Sequence, residues 1–349
     1  MSEKKGRNVG RAFVRQWQSN PLFSTGMALL VLVVLQTIAM GFDFASFGEW
    51  LSSFLRNWLN ILLNNSYVGM IALGMTFVII SGGIDLAVGS TLVAVGAMVM
   101  VLVNEQATGL LTGLGITGAP AVVIGVVAGL ALGLLLGEMN GVLVTKGRVP
   151  PFIVTLGTMK IFRSVTQYFM QSQPGITLPD GFKQIARAVR APVLNSMLLP
   201  ILYWLVLAIV LHVVSRYTAF GRYVYAVGSN ERTTRLSGIN VDRVKRRVYA
   251  LMGVIVAVAS IVQIARIGSM DYASAGSGYE MDAIAAVIIG GTSMSGGRGS
   301  IAGTLIGTLI IAVMNNLLTL VGVDPFLREA FKGAIVVAAV LMQRKENAN

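Results

Sequence analysis

The chain of 349 residues contains no cysteine and a single histidine, His212. Without cysteine there is neither a disulfide framework nor a thiolate metal site, and the redox compartment stays undetermined. One histidine offers little material for a zinc site or for a Ser-His-Asp triad. Because His212 lies in an apolar run that leads into a polar loop, we interpret it as an interfacial or packing residue.

Charged residues are also scarce, at 12% of the chain against 55% apolar residues, and the mean hydropathy is +0.75. A soluble domain has about 25% charged residues, so this composition is typical of a membrane protein. The net charge of +12 does not indicate a nucleic-acid partner, because the basic residues lie in a few gaps between apolar runs. No G-x-x-x-x-G-K-[S/T] phosphate loop occurs, so we expect no ATP hydrolysis by this chain alone.

Long apolar runs make up most of the sequence. A helix needs about 20 apolar residues to cross a hydrocarbon core of about 30 Å. We therefore predict an all-α polytopic membrane protein of about ten transmembrane helices, near residues 24–41, 61–80, 86–103, 121–144, 152–171, 197–214, 247–265, 283–297, 300–320 and 327–343.

The basic residues predict the orientation of these spans. The polar loop at residues 215–247 carries eight Lys or Arg against Glu231 and Asp242 only. Placing this loop in the cytoplasm puts both termini there as well, since the number of spans is even. The predicted organisation is a basic N-terminal tail at 1–20, a single transmembrane domain at 21–343 and a short C-terminal tail at 344–349. We expect the first apolar run to be an uncleaved helix, because no small-residue cleavage site precedes Asp43.

Two glycine stripes predict close helix packing. Glycine recurs every fourth residue from Gly125 to Gly141, and again at Gly299, Gly303 and Gly307. This spacing places the glycines on one helix face, where a neighbouring backbone can approach. The sequence Val-Ile-Ile-Ser-Gly-Gly from residue 78 is also echoed by Val-Ile-Ile-Gly-Gly from residue 287, which is compatible with a parallel duplication.

Ionisable residues inside spans cost about 2.5 to 3.5 kcal/mol or more at the bilayer centre, so they usually face a bundle interior or an aqueous path. Asp85, Glu138, Lys160 and Arg163 fit this description. Asp85 lies in a glycine-rich break at residues 81–90, where it either caps the third helix or lines a translocation pathway, or does both. The same choice between interhelical hydrogen bonding and the pathway holds for the amides at membrane depth, which are Asn64, Asn65, Asn140, Asn315 and Asn316.

Two further carboxylates, Glu280 and Asp282, lie at the predicted outer start of the eighth span. They cap that helix, contact an extracytoplasmic binding protein or line the entry, and the sequence does not choose among the three roles.

Three stretches together resemble one known family. Residues 74–90 (Gly-Met-Thr-Phe-Val-Ile-Ile-Ser-Gly-Gly-Ile-Asp-Leu-Ala-Val-Gly-Ser), 221–240 in the basic loop and 278–300 with Asn315 and Asn316 are similar to motifs of the permease subunits of ribose-type bacterial ABC sugar importers. The resemblance runs from about residue 60 to the C-terminus. It implies a multi-pass protein of the bacterial inner membrane that works with an ABC ATPase subunit, an extracytoplasmic sugar-binding protein and a second permease, either a copy or a paralogue.

Applied to this chain, the resemblance implies that the basic loop couples to the ATPase. The candidate coupling residues are Asn230, Glu231, Arg235, Leu236, Gly238 and Ile239. Asn230 is a suitable N-cap for a short helix at about 231–237 that Gly238 would stop, with Leu236 and Ile239 entering a groove of the ATPase. Arg232 and Thr233 stand where many other ABC importers have two alanines.

The expected function is inward movement of a monosaccharide or polyol, powered by ATP and Mg²⁺ on the partner ATPase. No residue of this chain is then catalytic, and the chain itself needs no metal or cofactor. One alternative is a permease of the same superfamily for branched-chain amino acids or another small metabolite, with Asp85 or Glu138 receiving the ammonium group. Another is an ion-coupled secondary transporter with Asp85, Glu138 and Lys160 as a proton relay.

Overall fold

The computed structural model describes residues 21–41, 46–106, 109–171, 176, 178–190, 196–324, 326–334 and 337. Over these residues the chain is helical, and its one β-bridge joins Arg190 to Met197. The helices are α1 (Pro21–Ala39), α2 (Phe47–Ile80), α3 (Val88–Val103), α4 (Leu110–Gly113), α5 (Gly118–Thr145), α6 (Pro151–Met170), α7 (Asp180–Arg187), α8 (Leu199–Tyr217), α9 (Ala219–Ser229), α10 (Glu231–Leu236), α11 (Val241–Ile267), α12 (Tyr279–Ile289) and α13 (Ile301–Leu320).

Six of these helices are long and apolar enough to cross a membrane, namely α1, α2, α5, α8, α11 and α13. The apolar helix α3 is shorter, at 16 residues. Helix α6 has 20 residues but is not among the six apolar spans. The all-helical membrane fold is therefore confirmed, whereas the count of about ten spans is not.

The largest boundary difference is at the second span, which is expected to begin at residue 61 whereas α2 begins at Phe47. The next largest is at the eighth span. It was expected at 283–297, but α12 covers Tyr279–Ile289 and leaves residues 290–300 as a connection to α13. The difference arises because residues 290–297 (Gly-Gly-Thr-Ser-Met-Ser-Gly-Gly) carry no charge, so no charged residue marks the helix end. Residues 326–334 of the predicted tenth span are helical, and the remainder of that span, with both predicted tails, lies outside the described residues except for residue 337.

The repeated Val-Ile-Ile sequence ends two helices in the same way. After α2, Gly82 is left-handed (φ 82°) and the N–H of Gly83 donates to the carbonyl of Val78 at 2.9 Å. After α12, Gly291 is left-handed (φ 85°) and the N–H of Thr292 donates to Val287 at 3.1 Å. Both are glycine-dependent C-caps of the Schellman type. The connection that follows the second turn contacts the end of α2, because the N–H of Gly297 donates to the carbonyl of Ile80 at 2.9 Å.

Helix α11 lies at the centre of the bundle, and the predicted glycine stripe of α5 packs against it. A Cβ atom added to Gly133 would lie 2.5 Å from the carbonyl oxygen of Gly253, and one added to Gly137 would lie 2.3 Å from that of Tyr249. The second stripe faces α12, where a Cβ on Gly303 would lie 2.0 Å from the carbonyl oxygen of Gly290. Both stripes therefore allow backbones to approach more closely than any side chain permits.

Candidate functional site

One candidate site lies at the end of the bundle that carries α10, here called the α10 end. Asn230 separates α9 from α10 and accepts a hydrogen bond from the N–H of Thr233 at 2.9 Å, as its predicted N-cap role requires. Helix α10 stops at Leu236, and Gly238 follows in a left-handed conformation (φ 80°). The short helix and both of its predicted boundary residues are confirmed.

An ion-pair network attaches α10 to the first turns of α11. The carboxylate of Glu231 lies 2.6 Å from the ammonium of Lys245 and 3.1 Å from the guanidinium of Arg235. Arg235 also lies 2.5 Å from a carboxylate oxygen of Asp242. The hydrogen bond from Lys245, together with Arg235, holds the pKa of Glu231 below its usual value. Glu231 and Arg235 therefore fix α10 to the bundle, rather than being free for a partner.

Leu236 is the apolar residue that α10 presents outward, with 82% of its surface exposed. Ile239 is only partly buried and packs against the hydrophobic core, so it is less available than Leu236. Next to α10 opens a cleft of about 520 Å³ between the α5–α6 connection and α11, lined by polar groups that include Arg148, Glu231 and Lys245. Leu236 is therefore an exposed apolar side chain beside a charged cleft, where a partner could bury it.

Hydrogen bonds from three helices, α5, α6 and α11, stabilise the break between α2 and α3. Asp85 is 4% exposed and accepts a hydrogen bond from the N–H of Ala87 at 2.9 Å, and the amide of Asn140 in α5 also donates to it. Ala87, not Asp85, occupies the N-cap position of α3. The hydroxyls of Thr155 in α6 and Tyr249 in α11 each donate to the carbonyl of Ile84 at 3.3 Å. Asp85 thus orders the break by satisfying backbone and amide groups.

A second break, at residues 268–278, leads from α11 into α12 and touches the first. A Cβ atom on Gly89 would lie 2.1 Å from the carbonyl oxygen of Gly276, and one on Gly276 would lie 2.5 Å from that of Gly89. Helix α12 has 11 residues, about 16 Å of rise, and ends at the α10 end, so its first turn lies roughly halfway through the bundle. We call this contact between the starts of α3 and α12 the crossing.

A polar cavity of about 280 Å³ opens beside the crossing. Its lining includes Ser90 of α3, Lys160 and Arg163 of α6, and Ser277 and Glu280 from the second break and α12. Arg163 donates to the carbonyl of Ala275 at 2.6 Å, which ties α6 to the second break. The cavity therefore combines hydroxyl, ammonium, guanidinium and carboxylate groups at mid-depth, a suitable set for hydrogen-bonding a small hydroxylated solute.

The other predicted pathway and entry residues do not form one cluster, and several are paired elsewhere. Glu138 pairs with Arg246, whose Nε lies 2.7 Å from its carboxylate. Asp282 lies 3.2 Å from Lys332. Glu280 and Asp282 both lie in the first turn of α12, as the sequence suggested, and their outer-side roles stay predictions. Among the described residues, no hydrogen bond or ion pair joins Asp85, Glu138 and Lys160 to one another, so the structure lends no support to the proton relay.

The remaining amides bond within or between helices. Asn64 accepts from Arg266 at 2.6 Å, and Asn65 donates to the carbonyl of Ile61 at 2.8 Å. Asn316 and Asn57 exchange two hydrogen bonds, at 3.1 and 3.2 Å. Asn315 lies on the same helix, where its carbonyl accepts from Thr319. Interhelical bonding, one of the two sequence interpretations, accounts for Asn64 and Asn316.

Sequence reasoning missed Lys245, Tyr249, Ser90 and Ser277. Lys245 was counted as one of eight basic loop residues, although it lies fourteen positions from Glu231 and pairs with it. The serines and Tyr249 carry no charge, and only the folded chain places them at the breaks. No sequence signal distinguishes them from the other hydroxyl residues of the spans.

Comparison with known proteins identifies membrane permeases as relatives of this chain. The family described as branched-chain amino acid transport system / permease component matches residues 57–340. The chain is 41% identical to the ribose import permease protein of Bacillus subtilis over 85% of this chain and 88% of that protein. It is 38% identical to the ribose import permease protein of Escherichia coli, over 96% and 97% of the two chains. It is 33% identical to the xylose transport system permease protein of Haemophilus influenzae, over 89% and 94%.

No solved structure matches the chain significantly. The family match covers most of the chain and the relatives align over nearly their full lengths. Together with the helical bundle and its apolar spans, these findings show that the chain is a multi-pass membrane protein that belongs to the family of branched-chain amino acid transport system permease components.

Proposed function

We propose that this chain is the permease subunit of an ABC importer that carries a monosaccharide or polyol into the cell. The observation that supports this proposal most strongly is the set of relatives, whose names specify ribose and xylose, at 33 to 41% identity over most of both chains. The chain provides the membrane passage, and the chemistry of ATP hydrolysis belongs to a partner ATPase that binds ATP and Mg²⁺.

The α10 end fits the contact with that ATPase. Leu236 extends outward at the tip of α10, and the ion pairs of Glu231 connect α10 to α11. A displacement of Leu236 by the ATPase would therefore move α10 and the start of α11 together. This arrangement favours a cytoplasmic location for the α10 end in the bacterial inner membrane, in line with the eight basic residues of the loop.

The crossing fits the passage of the solute. Helices broken halfway through a bundle leave backbone and helix N-termini available to a polar solute, and irregular backbone is tolerated at that depth only inside protein or beside water. The full transporter would contain two permeases, this chain with a copy or a paralogue, two ATPase subunits and an extracytoplasmic sugar-binding protein.

A branched-chain amino acid is the second candidate solute, because the description of the matching family names it. An amino acid brings an ammonium group that needs a carboxylate. The carboxylates of Glu138 and Asp282 are already paired with Arg246 and Lys332. Glu280 is the carboxylate that lines the polar cavity, beside two cationic side chains. This excess of positive charge favours a hydroxylated solute without an ammonium group.

Uptake by cells that lack this chain tests the proposal. We expect loss of uptake of one labelled pentose, hexose or polyol, with recovery on return of the wild-type chain, and unchanged uptake of leucine and valine. Loss of leucine uptake with normal uptake of every sugar and polyol would contradict sugar import. Transport by the purified chain alone in vesicles, driven by an ion gradient without an ATPase, would contradict the ABC mechanism.

A further inference from the structure

The exposed half of α6 is divided into a polar and an apolar side. Residues at spacings of three and four share a helix face. Lys160, Ser164 and Gln167 follow one another at these spacings, and Lys160 and Ser164 are exposed. Ile161, Val165 and Phe169, spaced four residues apart, form a second exposed row.

The apolar row borders an apolar groove between α3, α5 and α6, to which Ile161, Val165 and Phe169 all contribute. A surface of this composition suits contact with lipid. From the polar row, Lys160 lines the polar cavity, together with Arg163, Ser277 and Glu280. Lys160 and the apolar row of the same helix therefore border two chemically different spaces.

Lys160 cannot face the hydrocarbon core. It is the tenth residue of the 20 in α6, so its Cα lies about 14 Å along the axis from Pro151. This is too far for its four-carbon stem to carry the ammonium to an interface. No ion pair neutralises it among the described residues, and a charge at this depth is tolerated only in a polar or water-filled space.

We infer that the polar row of α6 forms a wall of a water-filled passage and that Lys160 contacts the passing solute, with Glu280 opposite it in the cavity. The ammonium supplies three hydrogen-bond donors and the carboxylate only acceptors, a pairing that matches hydroxyl groups, each of which both donates and accepts. Lys160 then acts as a specificity-determining residue for a polyhydroxylated solute. This inference rests on the proposed function and adds the solute-contacting side chain to it.

The absence of cysteine makes the passage directly measurable. Single cysteines are introduced as Lys160→Cys and Ser164→Cys, with Ile161→Cys and Val165→Cys as neighbouring controls in the apolar row. The full transporter in vesicles is treated with a membrane-impermeant, cationic methanethiosulfonate during ATP turnover. We expect reaction at positions 160 and 164 at least about tenfold faster than at 161 and 165, because an apolar environment raises the pKa of a thiol.

Solute contact has its own readout. Ribose should slow labelling at position 160, and Lys160→Met should raise the KM for ribose uptake about tenfold, as expected for loss of a charged hydrogen-bond donor, while Lys160→Arg restores most of the affinity. Equal labelling in both rows, or an unchanged KM in Lys160→Met, would overturn the inference. If the proposed function is wrong, the wild type imports no sugar but positions 160 and 164 still react faster than 161 and 165. If only the inference about α6 is wrong, the wild type imports sugar and the four positions react at similar rates.

Discussion

At the scale of single residues, Leu236 tests the contact with the ATPase. We predict that Leu236→Asp weakens association with the ATPase about 10- to 100-fold, because burial of a leucine side chain contributes about 1.5 to 3 kcal/mol. Leu236 is 82% exposed and supports no core packing, so the amount of chain in the membrane should not change. Copurification of the ATPase with tagged permease, together with sugar uptake, measures the effect.

Leu236→Met is the matched control, since it keeps an apolar side chain of similar volume and should retain both association and uptake. Wild-type copurification with Leu236→Asp would place the docking surface elsewhere, for example at the charged cleft beside Arg148. The sequence identified Leu236 through the family resemblance, and the caps at Asn230 and Gly238 were visible as the limits of α10. It could not show that Ile239 turns toward the core.

At the scale of helices, the glycine faces set how closely α5 and α11 pack. We predict that Gly137→Ala destabilises the protein by about 1 to 3 kcal/mol, because its new Cβ would lie 2.3 Å from the carbonyl oxygen of Tyr249 and the backbones must separate. The control is Gly157→Ala on α6, which has no atom within 4 Å of its added Cβ. Thermal unfolding in detergent should show a lower Tm for the first variant only, and equal Tm values would contradict close packing.

These packing faces were predictable because spacing along one helix is a local property. The break around Asp85 was also visible, since two glycines interrupt an apolar run. The crossing was not, because Gly89 and Gly276 lie 187 positions apart and only the folded chain joins them. For the same reason the cavity contact of Glu280 was not visible: the sequence shows where α12 begins, but not that Glu280 shares a cavity with Lys160 and Arg163 of α6.

At the scale of the whole molecule, α11 connects the α10 end with both breaks. Near its start, Lys245 pairs with Glu231 and Arg246 pairs with Glu138. Three residues after Arg246, the hydroxyl of Tyr249 donates to the carbonyl of Ile84 in the first break. Near its other end, Arg266 donates to the carbonyl of Leu63 at 3.2 Å. A movement imposed on α10 therefore reaches the crossing through one continuous helix. Such a connection predicts that loosening α10 from α11 separates ATP hydrolysis from transport.

Glu231→Arg removes the carboxylate that holds Lys245 and Arg235, and places a third positive charge beside them. We predict that the complex still hydrolyses ATP, while the amount of sugar imported per ATP falls about fivefold or more, the lower range of typical coupling energies. Glu231→Lys combined with Lys245→Glu should restore the ratio, because it reverses the pair without removing it. A normal ratio in Glu231→Arg, or no recovery in the reversed pair, would contradict transmission through this contact.

The same pair sets the expected response to pH. Because the hydrogen bond from Lys245 lowers the pKa of Glu231 from its ordinary value of 4.5, the folded state favours the charged carboxylate. The stabilisation is therefore complete above that ordinary value and is lost only as the pH falls through the lower pKa of the folded protein. The sugar-to-ATP ratio of the wild type should accordingly stay constant from neutral pH down to about pH 5. A ratio that falls between pH 7 and pH 6 would assign the coupling to a group other than Glu231.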